Sequence, residues 1–446
     1  MKPKKPAAVI QEDFFRLRLD QLLDQRHELY RLATKIDWSS FEVHFGPLYS
    51  DEGRPAIPIR LMVGLHYLKH LFNESDESVV ARWVENPYWQ YFCGEDYFQH
   101  RLPIDPSQMT RFRQRIGEVG CELMLSQSIV TGLATKTVAP ASLQAVNVDT
   151  TVQEKAIAFP TDARLYHKAR RALVRLAQKA GIRLRQSYER VGKVVLFRQA
   201  RYAHARQMKR ARREQKHLRT LLGRVLRDVE RKLPAQWRVR AQKLLTIARR
   251  IHQQQRADTG KVYSVHAPEV ECIAKGKAHK HYEFGVKVGI VSTSKDNFIL
   301  GIKALPGNPY DGHTLHDCLA QMARTTGVLP AEAFVDRGYR GHGKLPPVTV
   351  WIAGAKRGVT LAIKKKLKRR NAIEPIIGHL KTDGRLGRNF LNGELGDALN
   401  ALLCGAAHNL RKILRQLALL WAQMLCILIT PFLNQPLLYP PLMAEK

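Results

Sequence analysis

The segment Val146-Asn147-Val148-Asp149-Thr150-Thr151-Val152 decides the fold that we predict, because it is a short apolar run that carries a single acid. Such a run indicates a buried β-strand. A second short run, Ala333-Phe334-Val335, ends at Asp336. If the two strands are neighbours in one sheet, their carboxylates lie side by side.

The residues around these two runs complete a mixed sheet. A period of two from Phe284 to Ile290 and from Phe298 to Ile302 predicts a hairpin, with its turn at 294–297. Further elements follow in the order helix, strand, strand, extended piece: His313–Arg324, Ala333–Asp336, Val348–Ile352 and Leu361–Ile363. This order predicts an α/β fold in which helices cover a mixed sheet.

The sequence before the sheet predicts an all-helical domain over residues 1–140. Its compact basic helices lie around 77–86 and 107–116, and the second carries Arg111, Arg113 and Arg115. A helix-turn-helix module that binds duplex DNA and a plain helical bundle both fit this pattern. In the first case the three arginines would contact phosphate or guanine.

The segment from about 163 to 256 is a basic insert. It holds 29 Lys and Arg against 4 Asp and Glu, a net +25 of the chain's +34. Leucine and valine stripes on both sides of Pro234 predict two antiparallel helices with outward arginines. Arg212 and Arg213 are therefore candidate contacts to DNA phosphates.

A net charge of +34 indicates a polyanionic partner, either nucleic acid or an anionic membrane. No apolar signal segment follows Met1-Lys2-Pro3-Lys4-Lys5, so a cytoplasmic location is predicted. The six cysteines form no CxxC pair and are predicted to be reduced and buried. The apolar run Leu417–Leu433 reaches the lower limit for a membrane span. Helical spacing before it favours a C-terminal helix, in a segment 416–446, that continues into the core or a subunit contact.

A third acid, Glu374, stands next to the cluster Lys364-Lys365-Lys366-Leu367-Lys368-Arg369-Arg370, which either lines a phosphate backbone or forms a solvated face. Pro375 is tolerated only in a first helical turn, so Glu374 should begin a helix. Three converging carboxylates cannot all ionise without cations. Oxygen ligands suit two Mg²⁺ ions, or Mn²⁺ in their place.

Four strings of the sequence resemble conserved blocks of bacterial insertion-sequence transposases of the DDE class, and specifically of the insertion-sequence-5 family. They are NVDTTVQEKAIAFPTDARL, KGKAHKHYEFGVKVGI, FVDRGYRG and RNAIEPIIGHLKTDGRLGRNFL. The segment RPAIPIRLMVGLHYLKHL is similar to that family's N-terminal domain. The resemblance covers nearly the whole chain.

This resemblance implies an RNase H-like catalytic domain, over residues 141–415, with Asp149, Asp336 and Glu374 as the metal-binding triad. It also implies a pattern of Tyr, Arg, Glu and Lys that Arg370, Glu374 and Lys381 fit, although Leu367 stands at the tyrosine position. Arg370 and Lys381 would contact DNA phosphate. In related families a large insert often precedes the glutamate, whereas here the basic insert follows the first strand.

The function we predict is a transposase that binds the ends of its element as a homo-oligomer, cuts DNA by Mg²⁺-assisted hydrolysis and joins the 3′-hydroxyl to target DNA. It would act on the bacterial nucleoid and have no membrane partner. The alternatives are a non-catalytic basic DNA-binding protein and an RNase H-like nuclease without strand transfer. Tyr339 is either a turn residue or a DNA contact. The histidines 279, 281, 313 and 316 are expected to be ordinary polar or DNA-facing residues.

Overall fold

The structure is a computed structural model that describes residues 17–53, 55–274, 281–343, 347–354 and 359–433, with residues 420–433 described by their backbone path only. The α-helices are α1 Leu19–Leu22, α2 Glu28–Lys35, α3 Trp38–Phe45, α4 Ile59–Leu71, α5 Asp76–Glu85, α6 Pro87–Phe92, α7 Ser107–Ala134, α8 Asp162–Lys179, α9 Glu189–His204, α10 Met208–Lys232, α11 Arg238–Gln253, α12 Asp311–Thr326, α13 Leu361–Arg369, α14 Ile373–Thr382 and α15 Gly393–Leu433. The strands are β1 Ala145–Glu154, β2 Glu271–Ala274, β3 Tyr282–Thr293, β4 Ile299–Leu305, β5 Glu332–Val335 and β6 Thr349–Ile352.

The strands form one mixed sheet around β1. On one side β1 pairs with β3 in antiparallel register, and both β2 and β4 pair with β3. On the other side β1 pairs with β5, and β5 with β6, both in parallel register. The predicted mixed sheet and its hairpin are confirmed.

One secondary-structure prediction is wrong. The sequence predicts an extended piece at Leu361–Ile363, but these residues form the first turn of α13. Thr360 caps this helix, since its Oγ1 accepts a hydrogen bond from the Ile363 N–H at 3.3 Å. A threonine cap followed by a run of lysines favours helix over strand.

A single hydrophobic core joins the N-terminal helices to the sheet. It runs from Leu29 through the buried face of β1 to Leu417 on α15. The helix α15 packs against α7, α4 and β4, and so holds helices from before the sheet against one of its strands. The side chains of the sheet and those of the N-terminal helices are therefore positioned by the same core.

The basic insert has a separate core. Four helices, α8 to α11, bury apolar side chains against one another, among them Leu222, Val225, Ala241 and Leu245. The two helices predicted around Pro234 are α10 and α11, and α8 and α9 precede them. The insert is helical, as predicted, and its helices lie between β1 and β2.

The cysteines whose side chains are described are all free thiols, with Cys93, Cys121, Cys318 and Cys404 buried and Cys272 half-buried. Cys426 lies among the residues described by backbone only. Within the described ranges, no helix is both long and apolar enough to cross a membrane.

Candidate active site

Asp149 and Asp336 are placed side by side by the parallel pairing of β1 with β5. The register runs from Ala145 opposite Glu332 to Asn147 opposite Phe334. Two residues further along each chain stand Asp149 and Asp336. Asp149 lies in the middle of β1 and Asp336 directly follows β5, so the parallel register brings the two acids to the same level of the sheet.

Asp336 is held by the turn that follows β5. Its Oδ1 accepts a hydrogen bond from the Gly338 N–H at 2.9 Å. A Cβ on Gly338 would lie 3.0 Å from that oxygen and 3.2 Å from Oδ2 of Asp311. Glycine at 338 therefore lets two carboxylates approach the same backbone turn.

Arg370 connects β1 to the helix of the third acid. It lies in the 3₁₀ turn Arg370–Ala372, directly before α14, and its Nη1 is 3.2 Å from Oδ2 of Asp149. The side chains of Arg370 and Asp149 are only 10% and 17% exposed. This ion pair fixes the start of α14 against β1.

Glu374 is the second residue of α14 and is exposed to solvent. Pro375 follows it in the first turn, where its missing N–H leaves no hydrogen bond unmade. The helix α14 packs against β1. The predicted start of this helix is confirmed.

Asp311 is an acid of this site that the sequence analysis missed. It is the first residue of α12, and its Oδ1 accepts hydrogen bonds from the Thr150 hydroxyl at 3.1 Å and the Lys287 ammonium at 3.0 Å. The available signal was Lys287 itself. A lysine inside an apolar alternation on a predicted strand requires a carboxylate partner, because lysine is almost never buried unpaired.

Tyr339 lies buried in the 3₁₀ turn Arg337–Tyr339, which directly follows Asp336, and not at a DNA surface. Its side chain is fully buried, so the alternative that assigned it a DNA contact is wrong. Burial raises the pKa of its hydroxyl well above the usual value, and the carboxylates of Asp149, Asp311 and Asp336 act in the same direction.

The acids supply an all-oxygen donor set of the kind that hard divalent cations prefer. In the described part of the chain, no three acidic, histidine or cysteine side chains already stand at metal-ligand spacing. The cation beside Asp149 is instead the guanidinium of Arg370. His281, His313 and His316 are exposed, and His279 lies outside the described residues.

The predicted DNA contacts fall into different environments. The prediction that Arg113 contacts DNA is wrong, because its side chain is buried, with 3% of its surface exposed. Its guanidinium donates to the carboxylate of Asp76 from Nη1 at 2.9 Å and from Nη2 at 2.6 Å. Arg111 and Arg115 are exposed, and Arg115 stacks over the Tyr49 ring at 4.3 Å.

The remaining predicted contacts lie on the basic insert and on α14. Arg212 and Arg213 are exposed near the start of α10, and Lys381 is half-buried on α14. All three are therefore on or near the protein surface, where a DNA phosphate can reach them.

Two family models match parts of the chain. Residues 17–115 match a family model described as Transposase domain (DUF772), and residues 249–410 match one described as Transposase DDE domain. The second match includes Asp336 and Glu374. Asp149 precedes it, and most of the basic insert lies between the two. These matches support a transposase with a DDE domain.

More particularly, the chain belongs to the same family as a Rhizobium meliloti protein described as uncharacterized protein ORF8 in the nfe locus. The two are 56% identical over 207 residues, which are 46% of this chain and all of that protein. No solved structure matches the chain.

Proposed function

We propose that this chain is an insertion-sequence transposase of the insertion-sequence-5 type with an RNase H-like core. It binds the ends of its element, cuts them by metal-dependent hydrolysis and joins the 3′-hydroxyl ends to target DNA. The observation that carries the proposal is the pairing of β1 with β5, which brings Asp149 level with Asp336, together with the Arg370 contact that anchors the helix of Glu374.

Asp149, Asp336 and Glu374 would hold two divalent ions, Mg²⁺ or Mn²⁺, which activate the attacking oxygen and stabilise the leaving oxygen when bound. The protein's own groups set the positions of these acids. Arg370 orients Asp149, and the Gly338 N–H orients Asp336. Lys287 offsets the charge of Asp311.

The proposed partners are duplex DNA, both element ends and target, and further copies of the chain on that DNA. Recognition of the ends is assigned to the N-terminal helices, with Arg111 and Arg115 as contacts. Lys381 and the insert arginines 212 and 213 would contact phosphates. The protein would work on the bacterial nucleoid in the cytoplasm.

The test is DNA nicking by variants of the triad. Asp149→Ala, Asp336→Ala and Glu374→Ala should each abolish Mg²⁺-dependent nicking of DNA that carries the inverted repeats flanking the coding region. Binding to that DNA should persist, because each change removes a metal ligand and leaves the phosphate-binding side chains in place. Glu118→Ala, an exposed acid of α7, is the matched control and should nick normally.

Two outcomes would favour other functions. A wild-type chain that binds the repeats but never nicks them at any Mg²⁺ concentration would be a non-catalytic DNA-binding protein. A chain that nicks but leaves pre-cut ends unjoined to a target plasmid would be a nuclease without strand transfer.

A further inference from the structure

A cavity of about 1080 Å³ opens between α13, α14, α15 and the turn that joins β3 to β4. Its apolar lining residues include Ala139, Ala145 and Ile376. Its walls come from elements far apart in the chain. The cavity is therefore built by the tertiary fold and not by one basic helix.

The walls of this groove are strongly basic. Lys365, Lys366, Lys368 and Arg369 reach it from α13, Lys295 from the β3–β4 turn, and Lys412 and Arg415 from α15. Among the described residues that line it there is no carboxylate. The lysine cluster at 364–370, which the sequence left open between a phosphate-lining role and a solvated face, thus faces further cations across a concave surface.

Two of these cations have structural partners. Lys366 forms an ion pair with Glu332, and Arg369 donates to the backbone oxygens of Ser294 at 3.2 Å and Lys295 at 2.9 Å. These contacts hold α13 against the sheet edge. They also fix the position of the other basic side chains on α13.

The other five basic side chains make no hydrogen bond or ion pair of their own within the described part of the chain: Lys295, Lys365, Lys368, Lys412 and Arg415. Burial and the neighbouring cations Arg415 and Arg369 lower the pKa of the Lys412 ammonium, although Asp296 acts against them. Positive charges gathered at a concave surface repel one another, so an anion bound among them is stabilised.

The groove and the catalytic acids use different faces of α14. Ala372, Pro375, Ile376 and His379 line the groove, at the three- and four-residue spacing of one helical face. Glu374 stands on the face that continues from Arg370 to Lys381. A ligand in the groove would thus lie beside the active site without occupying it.

We infer that this groove binds the phosphate backbone of duplex DNA, independently of base sequence. The inference rests on the proposed function, since it names a second surface on which a transposase would hold its DNA. The negative charge of DNA phosphates complements the seven basic side chains that line the groove. The described lining residues include no phenylalanine, tyrosine or tryptophan on which a base could stack. Contacts of this kind position DNA without reading its sequence.

The test is the salt dependence of binding to a random-sequence duplex, measured by filter binding over a KCl series in EDTA, so that no cleavage occurs. The variant Lys365→Gln/Lys368→Gln/Arg415→Gln should weaken binding and flatten the slope of log K against log [KCl] by about 0.9 for each phosphate that is no longer neutralised. The matched control, Lys365→Arg/Lys368→Arg/Arg415→Lys, keeps every charge and should bind like the wild type.

If the folded Gln variant showed the wild-type slope of log K against log [KCl], the proposal that the groove binds DNA would be wrong. Equally weakened binding by the Gln variant and the charge-retaining control would also overturn it, because shape and not charge would then be responsible. A wild-type chain that fails to bind duplex DNA would instead refute the proposed function. Thermal unfolding of each variant establishes that it is folded.

Discussion

The pair of Lys287 and Asp311 shows how single residues set the charge of the candidate site. Lys287 lies on β3 with 8% of its surface exposed, and its ammonium binds Asp311 Oδ1 at 3.0 Å and the Pro309 carbonyl at 2.6 Å. Asp311 in turn accepts a hydrogen bond from the hydroxyl of Thr150, the residue next to Asp149. The lysine therefore offsets one negative charge beside the acids that would hold metal.

Substitutions of Lys287 and of Asp311 should shift the Mg²⁺ concentration for half-maximal nicking in opposite directions. Lys287→Met leaves an additional uncompensated carboxylate, so half-maximal nicking should need less Mg²⁺. Asp311→Asn leaves an uncompensated ammonium and should need more. Titration of nicking against Mg²⁺ measures both shifts, and shifts of the same sign would refute this role.

The free energy of unfolding should also depend on the ion pair between Lys287 and Asp311. Breaking a buried ion pair costs about 3–5 kcal/mol, and because Asp311 is 26% exposed we expect about 2 kcal/mol for Lys287→Met. The double variant Lys287→Met/Asp311→Asn removes both charges and should unfold closer to the wild type in urea. A double variant no more stable than Lys287→Met would mean that packing, and not charge, accounts for the destabilisation.

Among the helices and strands, local sequence patterns were sufficient to predict the strand of Asp149, the hairpin and the start of α14. Each depends on residues close in sequence, such as Pro375 in a first helical turn. Partners across the fold could not be predicted in this way. Arg113 was predicted to contact DNA because its partner Asp76 is 37 residues away in the sequence. Tyr339 was left open between a turn residue and a DNA contact because its burial depends on α12.

The charge of the basic insert predicts that its exposed arginines bind DNA phosphates. Its own core stabilises α8 to α11, so the exposed Arg212 and Arg213 are not needed for packing. Arg212→Glu/Arg213→Glu should flatten the salt dependence of DNA binding by about 0.9 for each phosphate that these arginines neutralise. Stability should change by no more than about 0.5 kcal/mol, as for most surface substitutions.

The comparison that decides the insert's role is between the element's own ends and random duplex. If the two arginines bind phosphates, their reversal should weaken binding to both DNAs alike. Weakened binding to the element's ends alone would show that the insert reads sequence.

In the whole molecule, the hydrophobic core crosses the limit near residue 140 that the helical pattern predicted for the N-terminal domain. On α4, His70 Nε2 lies 3.4 Å from Oδ1 of Asn400 on α15, and Asn400 donates to Gln153 on β1 at 2.9 Å. Gln153 is on the strand of Asp149. The helices assigned to end recognition are thus joined through buried polar contacts to the strand assigned to catalysis.

Three buried histidines, of which His70 takes part in these contacts, predict a steep acid instability. Burial lowers the pKa of His66 and His408 to about 3 and that of His70 well below 6.5. A group with a lowered folded-state pKa stabilises the protein fully above its unfolded value and loses that contribution as pH falls through the folded value. The window is therefore pH 6.5 down to about 3. Thermal unfolding should show the destabilisation as one cooperative transition, since the three lie in one core.

His408 provides the test of this assignment. Its Nε2–H donates to the Asn297 carbonyl at 3.1 Å, a bond that the amide of His408→Gln can replace. The variant should lose less stability than the wild type between pH 7 and about pH 4.5, by about 2 kcal/mol. His316→Gln, at an exposed position of α12, should follow the wild type throughout. If the His408 variant follows the wild type as well, the acid instability arises elsewhere, because removing a ring that burial keeps neutral and that acid must protonate should reduce that instability.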